Sequence, residues 1–263
     1  MLNYRFKPFA GRLLTTACAI GVLSASASAL ATIVVIETSQ GNIEVNLFDK
    51  TTPKTVANFL TYVNEGDYVN TIIHRSEPNF VVQGGGFTFD GDFPLKGITT
   101  RAAVKNEPVW SNRRGTVAMA KLGGRPDSAT SQWFFNLRDN HASGAALDSQ
   151  NGGFTAFGQV TDESMKVVDN IAALNRCNAS GMKNIPMPTF DCANGGTPGV
   201  ENFVTITSVT IKDATVDTAA DLTLVKNTAN DKKESDSSGG GSTTGFGLMA
   251  LALAGLIRKK KSA

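Results

Sequence analysis

Residues 73–87 read Ile73-His74-Arg75-Ser76-Glu77-Pro78-Asn79-Phe80-Val81-Val82-Gln83-Gly84-Gly85-Gly86-Phe87. A short apolar run, Val81-Val82, sits between Asn79 and three consecutive glycines, as a short strand between turn residues does. The glycines do not form GxGxxG and open no helix, so they serve backbone geometry rather than a nucleotide phosphate. His74 is read as structural. Arg75 taken alone is a surface ion-pair partner, and Phe80 taken alone is a core residue. Three further short apolar runs follow: Thr116 to Ala120, Trp133 to Leu137 and Ala156 to Val160. Trp133 is expected in the core, pointing away from Phe134 on the same strand.

Upstream, Ile33 to Thr38 is β-branched and reads as a strand, Ser39 to Asn42 as a turn, and Ile43 to Leu47 as the returning strand. Thr52-Pro53 marks a helix start, with Thr52 as N-cap and Pro53 at the first position. Val56, Phe59, Leu60 and Val63 fall on one helical face, and Gly66 ends the helix. A second helix is expected from Asp162 to Leu174, with Met165, Val168, Ile171 and Ala172 inward. A last strand is expected from Phe203 to Lys212. Many short strands and two helices make a mainly β fold, a closed β-barrel with helical plugs; composition alone does not separate barrel from sandwich.

Beside the opening stretch stand four more segments. They are Arg114-Gly115-Thr116-Val117-Ala118-Met119-Ala120-Lys121, then Asp127-Ser128-Ala129-Thr130-Ser131-Gln132-Trp133-Phe134-Phe135-Asn136, then Leu147-Asp148, then Phe154-Thr155-Ala156-Phe157-Gly158-Gln159-Val160. In order and spacing the set resembles the cyclophilin family. HRxxxxFxxQGGG is its most specific part, and SQxFF and FGxV reinforce it. With the opening hairpin and both helices, the resemblance spans residues 32–213. It implies a closed eight-stranded antiparallel β-barrel capped by two α-helices. It also implies a peptidyl-prolyl cis-trans isomerase acting on proline-containing polypeptides, with no cofactor and no metal. Arg75 matches the family's catalytic arginine. Phe80, Phe134 and Leu147 match the walls of the proline pocket, and Gln83 the glutamine near the substrate carbonyl. Ala120 and Lys121 fall where backbone groups pair with the residue before proline, and Gln132 lies in the same groove. Phe154 takes a rim position often held by His or Tyr. Two departures stand out: Ala146 replaces a frequent Trp, which puts tight cyclosporin binding in doubt, and Lys121 replaces a frequent Asn.

Other chemistries lack their residues. The chain has two His, His74 and His141, and no HExxH, GxSxG or P-loop. Rotation about an Xaa-Pro bond breaks no bond, so neither a nucleophile nor an acid/base pair is required.

The ends have a different composition. The formal charge is +2, but three basic residues lie at the N-terminus and four at the C-terminus, leaving −5 for the stretch between them. A mildly acidic body offers no electrostatic footprint for nucleic acid. Residues 1–31 read as a signal peptide, with Arg5, Lys7 and Arg12 ahead of an apolar run and Ala29-Leu30-Ala31 as the cleavage pattern. An uncleaved membrane anchor is the alternative. Residues 32–213 form the isomerase domain. Cys177 and Cys192, an even pair in an exported chain, are expected as a disulfide, two free thiols being the alternative. Residues 175–201, rich in Pro and Gly, are read as a long surface loop stapled by that bond. Residues 214–238 are read as a polar disordered linker. Residues 239–263 combine glycines, a short apolar stretch and Arg258-Lys259-Lys260-Lys261. That tail resembles the glycine-glycine sorting signals of some bacterial exported proteins. The resemblance implies membrane contact through the tail, removal by a rhomboid-type protease, and a destination in the periplasm or at the cell surface. A permanent tail anchor is the alternative.

Overall fold

The computed structural model describes residues 32–142, 144–214, Ala219, 222–229 and Asp231. The leader at 1–31 and the tail at 239–263 lie outside the described residues. Among the described residues, no helix is long and apolar enough to cross a membrane.

The chain opens with strands β1 (Ile33–Thr38) and β2 (Gly41–Leu47), then helix α1 (Pro53–Asn64). Strands β3 (Arg75–Glu77), β4 (Val81–Gly84), β5 (Phe87–Thr88) and β6 (Lys96–Gly97) follow. After a long connection come β7 (Thr116–Met119), β8 (Trp133–Asn136) and β9 (Ala156–Val160), then α2 (Asp162–Ala173). The chain then forms β10 (Asn175–Ala179), β11 (Met182–Met187) and β12 (Ile206–Asp213). Eight strands make one antiparallel sheet in the order β12-β1-β2-β9-β7-β8-β4-β3.

Side chains alternate across this sheet, as the two-residue strand repeat requires. Val34, Ile36, Ile43, Val45, Val82, Trp133 and Phe135 point into the main core. Val56, Phe59 and Val63 of α1 and Met165, Val168 and Ile171 of α2 fill the same core, as their helical spacing predicts. Leu60 and Ala172 are partly buried against it. The two tilted ring contacts of Phe59, with Tyr68 at 5.4 Å and Phe157 at 5.3 Å, tie α1 to the sheet.

Three expectations are corrected. First, the barrel is not closed. The sheet is a curled half-barrel whose end strands, β3 and β12, are not laddered to each other. Among the described residues, an isolated bridge, Ile72 with Thr205, and bonds such as Ile73 N–H to Val204 O (2.9 Å) and Ile206 N–H to Thr71 O (2.7 Å) join the residues ahead of β3 to the start of β12. The reason is local: β3 has three residues, and β11 rather than β12 lies along it. Second, Thr52 stands at the N-cap of α1 with Pro53 after it, as expected, but its side chain does not supply the cap. Its hydroxyl donates to Phe48 O at 3.1 Å, and the cap is Glu107 from far along the chain. The Glu107 carboxylate accepts from Lys54 N (3.3 Å), Thr55 N (2.9 Å) and Thr55 Oγ1 (2.8 Å), a negative charge on the positive end of a helix. Third, residues 175–201 are not simply a surface loop. They contain the β10–β11 hairpin, turned at Ser180-Gly181 with both φ positive, 51° and 79°. Ile185 and Met187 are fully buried in a second apolar cluster with Ile72, Phe89, Leu95 and Phe203. Cys177 and Cys192 are joined as the expected disulfide, their Cα atoms 5.7 Å apart.

Within the stretch read as linker, residues 222–229 run against the body. Ser111 N–H donates to Val225 O (2.8 Å), Asn227 N–H donates to Val109 O (2.9 Å), and Trp110 forms an isolated bridge with Lys226. A cavity of about 470 Å³ lies there, between Trp110, Arg113, Gln159 and Leu224.

Candidate active site

The pairing register aligns one residue from each of five neighbouring strands. Arg75 on β3 faces Gln83 on β4, Gln83 faces Phe134 on β8, Phe134 faces Ala118 on β7, and Ala118 faces Ala156 on β9. Residues directly opposite in a sheet share a face, so this row lies on the side away from the main core. The adjacent Trp133 and Phe135 point the other way, which is why Trp-Phe-Phe supplies core, site and core in turn. Ala118 and Ala156 leave the middle of the row shallow.

An apolar floor forms around the row. Phe134, Leu147 and Phe154 are nearly fully buried, at 1%, 2% and 3% exposure, beside Val81, Ala118 and Ala120. The Phe134 and Phe154 rings meet edge to face with centroids 5.9 Å apart. Phe80 and Trp110 are partly buried at the margin. Of the three residues expected as pocket walls, Phe134 and Leu147 thus form the floor, and Phe80 stands higher.

Arg75 is held from two sides. Its Nε donates to Glu77 Oε1 at 3.2 Å, and one Nη donates to Gln83 Oε1 at 3.3 Å. Gln83 Nε2 in turn donates to Gln132 Oε1 at 2.9 Å. The Arg75 guanidinium lies 5.9 Å from the Phe80 ring centroid. Its second Nη has no hydrogen-bond partner among the described residues. The glycine run makes room for this chain of contacts. A Cβ on Gly86 would fall 2.6 Å from Gln132 Cδ, and one on Gly85, at φ 75°, 2.7 Å from Trp133 Nε1.

The backbone groups expected at Ala120 and Lys121 divide unevenly. Ala120 N–H donates to Gln132 O at 2.9 Å and is occupied. Lys121 keeps both its N–H and its carbonyl without a partner among the described residues. Its side chain has its own task. Lys121 Nζ is buried, donates to Asn151 O (3.0 Å) and Gly153 O (2.6 Å), and lies 4.7 Å from the Phe154 ring centroid. Burial pushes the Lys121 ammonium down to about 8. Burial likewise pushes His74 down to about 4, with the Arg75 charge acting in the same direction, so His74 is neutral at pH 7. Ala146 stands just before Leu147 at φ 47°, and its own methyl adds no ring to the floor.

A buried asparagine network, not foreseen from the sequence, holds the walls by their carbonyls. Asn140 Nδ2 donates to Phe80 O (2.9 Å) and to Asn136 Oδ1 (2.8 Å). Asn112 Nδ2 donates to Phe154 O (3.0 Å) and to Asp148 Oδ1 (3.0 Å). All three asparagines are fully buried. Nothing in the local pattern of Ser111-Asn112-Arg113 marks Asn112 as buried, since asparagine between polar residues reads as a turn.

Residues 33–190 match the family model described as cyclophilin type peptidyl-prolyl cis-trans isomerase/CLD. The chain belongs to the cyclophilin family. As a cyclophilin it is an isomerase, and several bacterial relatives carry that activity in their names. A peptidyl-prolyl cis-trans isomerase of Acinetobacter baylyi is 41% identical over 173 residues, 65% of this chain and 88% of its own length. Peptidyl-prolyl cis-trans isomerase A of Dickeya dadantii is 42% identical over 62% of this chain and 82% of its own. Peptidyl-prolyl cis-trans isomerase B of Escherichia coli is 39% identical over 58% and 92%. In this cyclophilin the family match ends at 190, inside the disulfide-closed segment.

Proposed function

We propose that this cyclophilin isomerises Xaa-Pro bonds of exported polypeptides at the row Arg75–Gln83–Phe134, with Arg75 as the catalytic residue. The observation that carries the reading is the Arg75 guanidinium, anchored through Nε and one Nη beside an apolar floor with its other Nη unpartnered among the described residues. Phe80, Phe134, Leu147 and Phe154 hold the proline ring. The Lys121 backbone pairs with the residue before it, while Gln83 and Gln132 border the groove.

Turning the amide destroys its resonance, which is the source of a barrier of about 20 kcal/mol and of unaided times of tens of seconds. At the twisted geometry the prolyl nitrogen is pyramidal and regains a lone pair. An N–H of Arg75 donates to that lone pair, a contact absent in the planar ground state, so it stabilises the transition state selectively. Reaching milliseconds requires about ten-thousand-fold, or ~5.5 kcal/mol. A charged hydrogen bond in a dry pocket, together with fixed orientation, is of that order.

The leader-like residues 1–31 and the Cys177–Cys192 bond support a setting outside the cytoplasm. There the substrates are proline-containing chains, and the 239–263 tail contacts the membrane until a protease removes it. Isomerisation of an Xaa-Pro tetrapeptide by the full-length chain tests the site. Arg75→Ala is expected to lower kcat by about a hundredfold or more with peptide affinity kept within a few-fold, whereas Phe134→Ala mainly weakens affinity. A fully active Arg75→Ala contradicts the mechanism.

A further inference from the structure

We infer that the disulfide-closed hairpin β10–β11 is part of the catalytic apparatus, with Asn184 and Glu77 as positioning residues for Arg75. Glu77 Oε1 accepts two hydrogen bonds, from Arg75 Nε at 3.2 Å and from Asn184 Nδ2 at 2.9 Å. The two donors sit 109 positions apart in number but meet on one carboxylate oxygen. Arg75, Glu77 and Asn184 are all part-buried.

The hairpin is built to aim Asn184. Across it, Cys177 pairs with Ile185 and Ala179 with Met182, so Lys183 and Asn184 together oppose Asn178 alone. That is a β-bulge, a device that re-aims a side chain. Asn184 takes a left-handed φ of 58°, which asparagine tolerates better than most residues, and its N–H donates to Asn178 Oδ1 at 2.9 Å. Ile185, next along, is fully buried against Ile72, three residues before Arg75. The Cys177–Cys192 bond ties the hairpin's first strand to the segment after it.

The consequence for Arg75 is geometric. With only the Gln83 contact, the guanidinium plane pivots about one bond. With Glu77 fixed by Asn184, Nε and one Nη are both anchored, the plane is set, and the remaining Nη is directed for the prolyl nitrogen.

This inference rests on Arg75 acting as proposed above, so the test carries Arg75→Ala beside the new variants. The full-length chain is compared with Asn184→Gly, which keeps the left-handed backbone and removes the side chain, and with Glu77→Leu and Glu77→Gln. Exchange kinetics on an Xaa-Pro tetrapeptide give kcat and KM. Asn184→Gly and Glu77→Leu are expected to lower kcat about fivefold to tenfold with KM within about twofold, while Glu77→Gln, which keeps the acceptor oxygen, stays within about twofold of the parent. The Arg75 Nε–H resonance is expected to exchange slowly in the parent and to lose that protection in Asn184→Gly. Unchanged kcat in Asn184→Gly beside an inactive Arg75→Ala overturns the inference alone. So does a fall in kcat with the Nε–H resonance unmoved. A fully active Arg75→Ala overturns the role of Arg75 itself, and the clamp with it.

Discussion

His74 and Arg75 are neighbours with opposite fates. Arg75 lies on the face away from the main core, whereas His74 is buried with its ring edge-on to Phe87, centroids 4.9 Å apart, and its Nδ1 unpartnered among the described residues. Burial favours the neutral imidazole and holds the folded pKa at about 4, below the ordinary 6.5. The sign follows directly. Between these values the unfolded chain binds the proton and the folded chain does not, so stability rises with pH across the window. Stability is therefore undiminished by His74 above pH 6.5 and falls as pH drops towards 4, by up to ~3 kcal/mol. Denaturant unfolding at several pH values should show a slope between pH 4 and 6.5 that His74→Phe flattens. An identical slope in both proteins contradicts the assignment. The reading of Arg75 as facing substrate came from the family resemblance, since the residue alone reads as a surface ion-pair partner. The pattern could not show that Lys121, read for its backbone, also spends its ammonium on the carbonyls of Asn151 and Gly153.

At the scale of elements, alternation and helical periodicity carried most of the reading. The Trp133-Phe134-Phe135 run splits across the sheet as a two-residue repeat demands, and α2 occupies Asp162–Ala173 with Thr161 accepting from Ser164 N at 3.3 Å. What the sequence could not reveal involved partners distant along the chain. Thr52-Pro53 announces a helix start correctly, but the capping carboxylate is Glu107, and no local signal points to it. Glu107→Ala should destabilise the protein by about 1 kcal/mol, the usual worth of a cap. Glu107→Gln, which keeps the acceptor but not the charge, should cost less. Equal unfolding midpoints for Glu107→Ala and the parent contradict the capping role. The Ser180-Gly181 pair is a hairpin signal in retrospect. The prolines at 186 and 188 masked it, because proline within a run argues against a strand. Pro186 is tolerated because β10–β11 is a two-stranded ribbon.

Across the whole molecule, one curled sheet separates two jobs. Its inner face and both helices make the core, and its outer face carries the row from Arg75 to Ala156. The half-barrel stays open between β3 and β12 because the β10–β11 segment lies along β3, so the departure from closure and the hairpin are one feature. The cavity beside Arg113, Gln159 and Leu224 lies where residues 222–229 return to the body, and Trp110 stands between it and the floor of the site. The most direct measurement is an NMR titration of the full-length chain with an Xaa-Pro tetrapeptide, reading protein shifts and peptide cis-trans exchange together. The account predicts shift changes at Arg75, Phe80, Gln83, Lys121, Gln132 and Phe154, with exchange peaks between the peptide's two isomers. Changes centred on Arg113, Gln159 and Leu224, or binding without exchange, would contradict it.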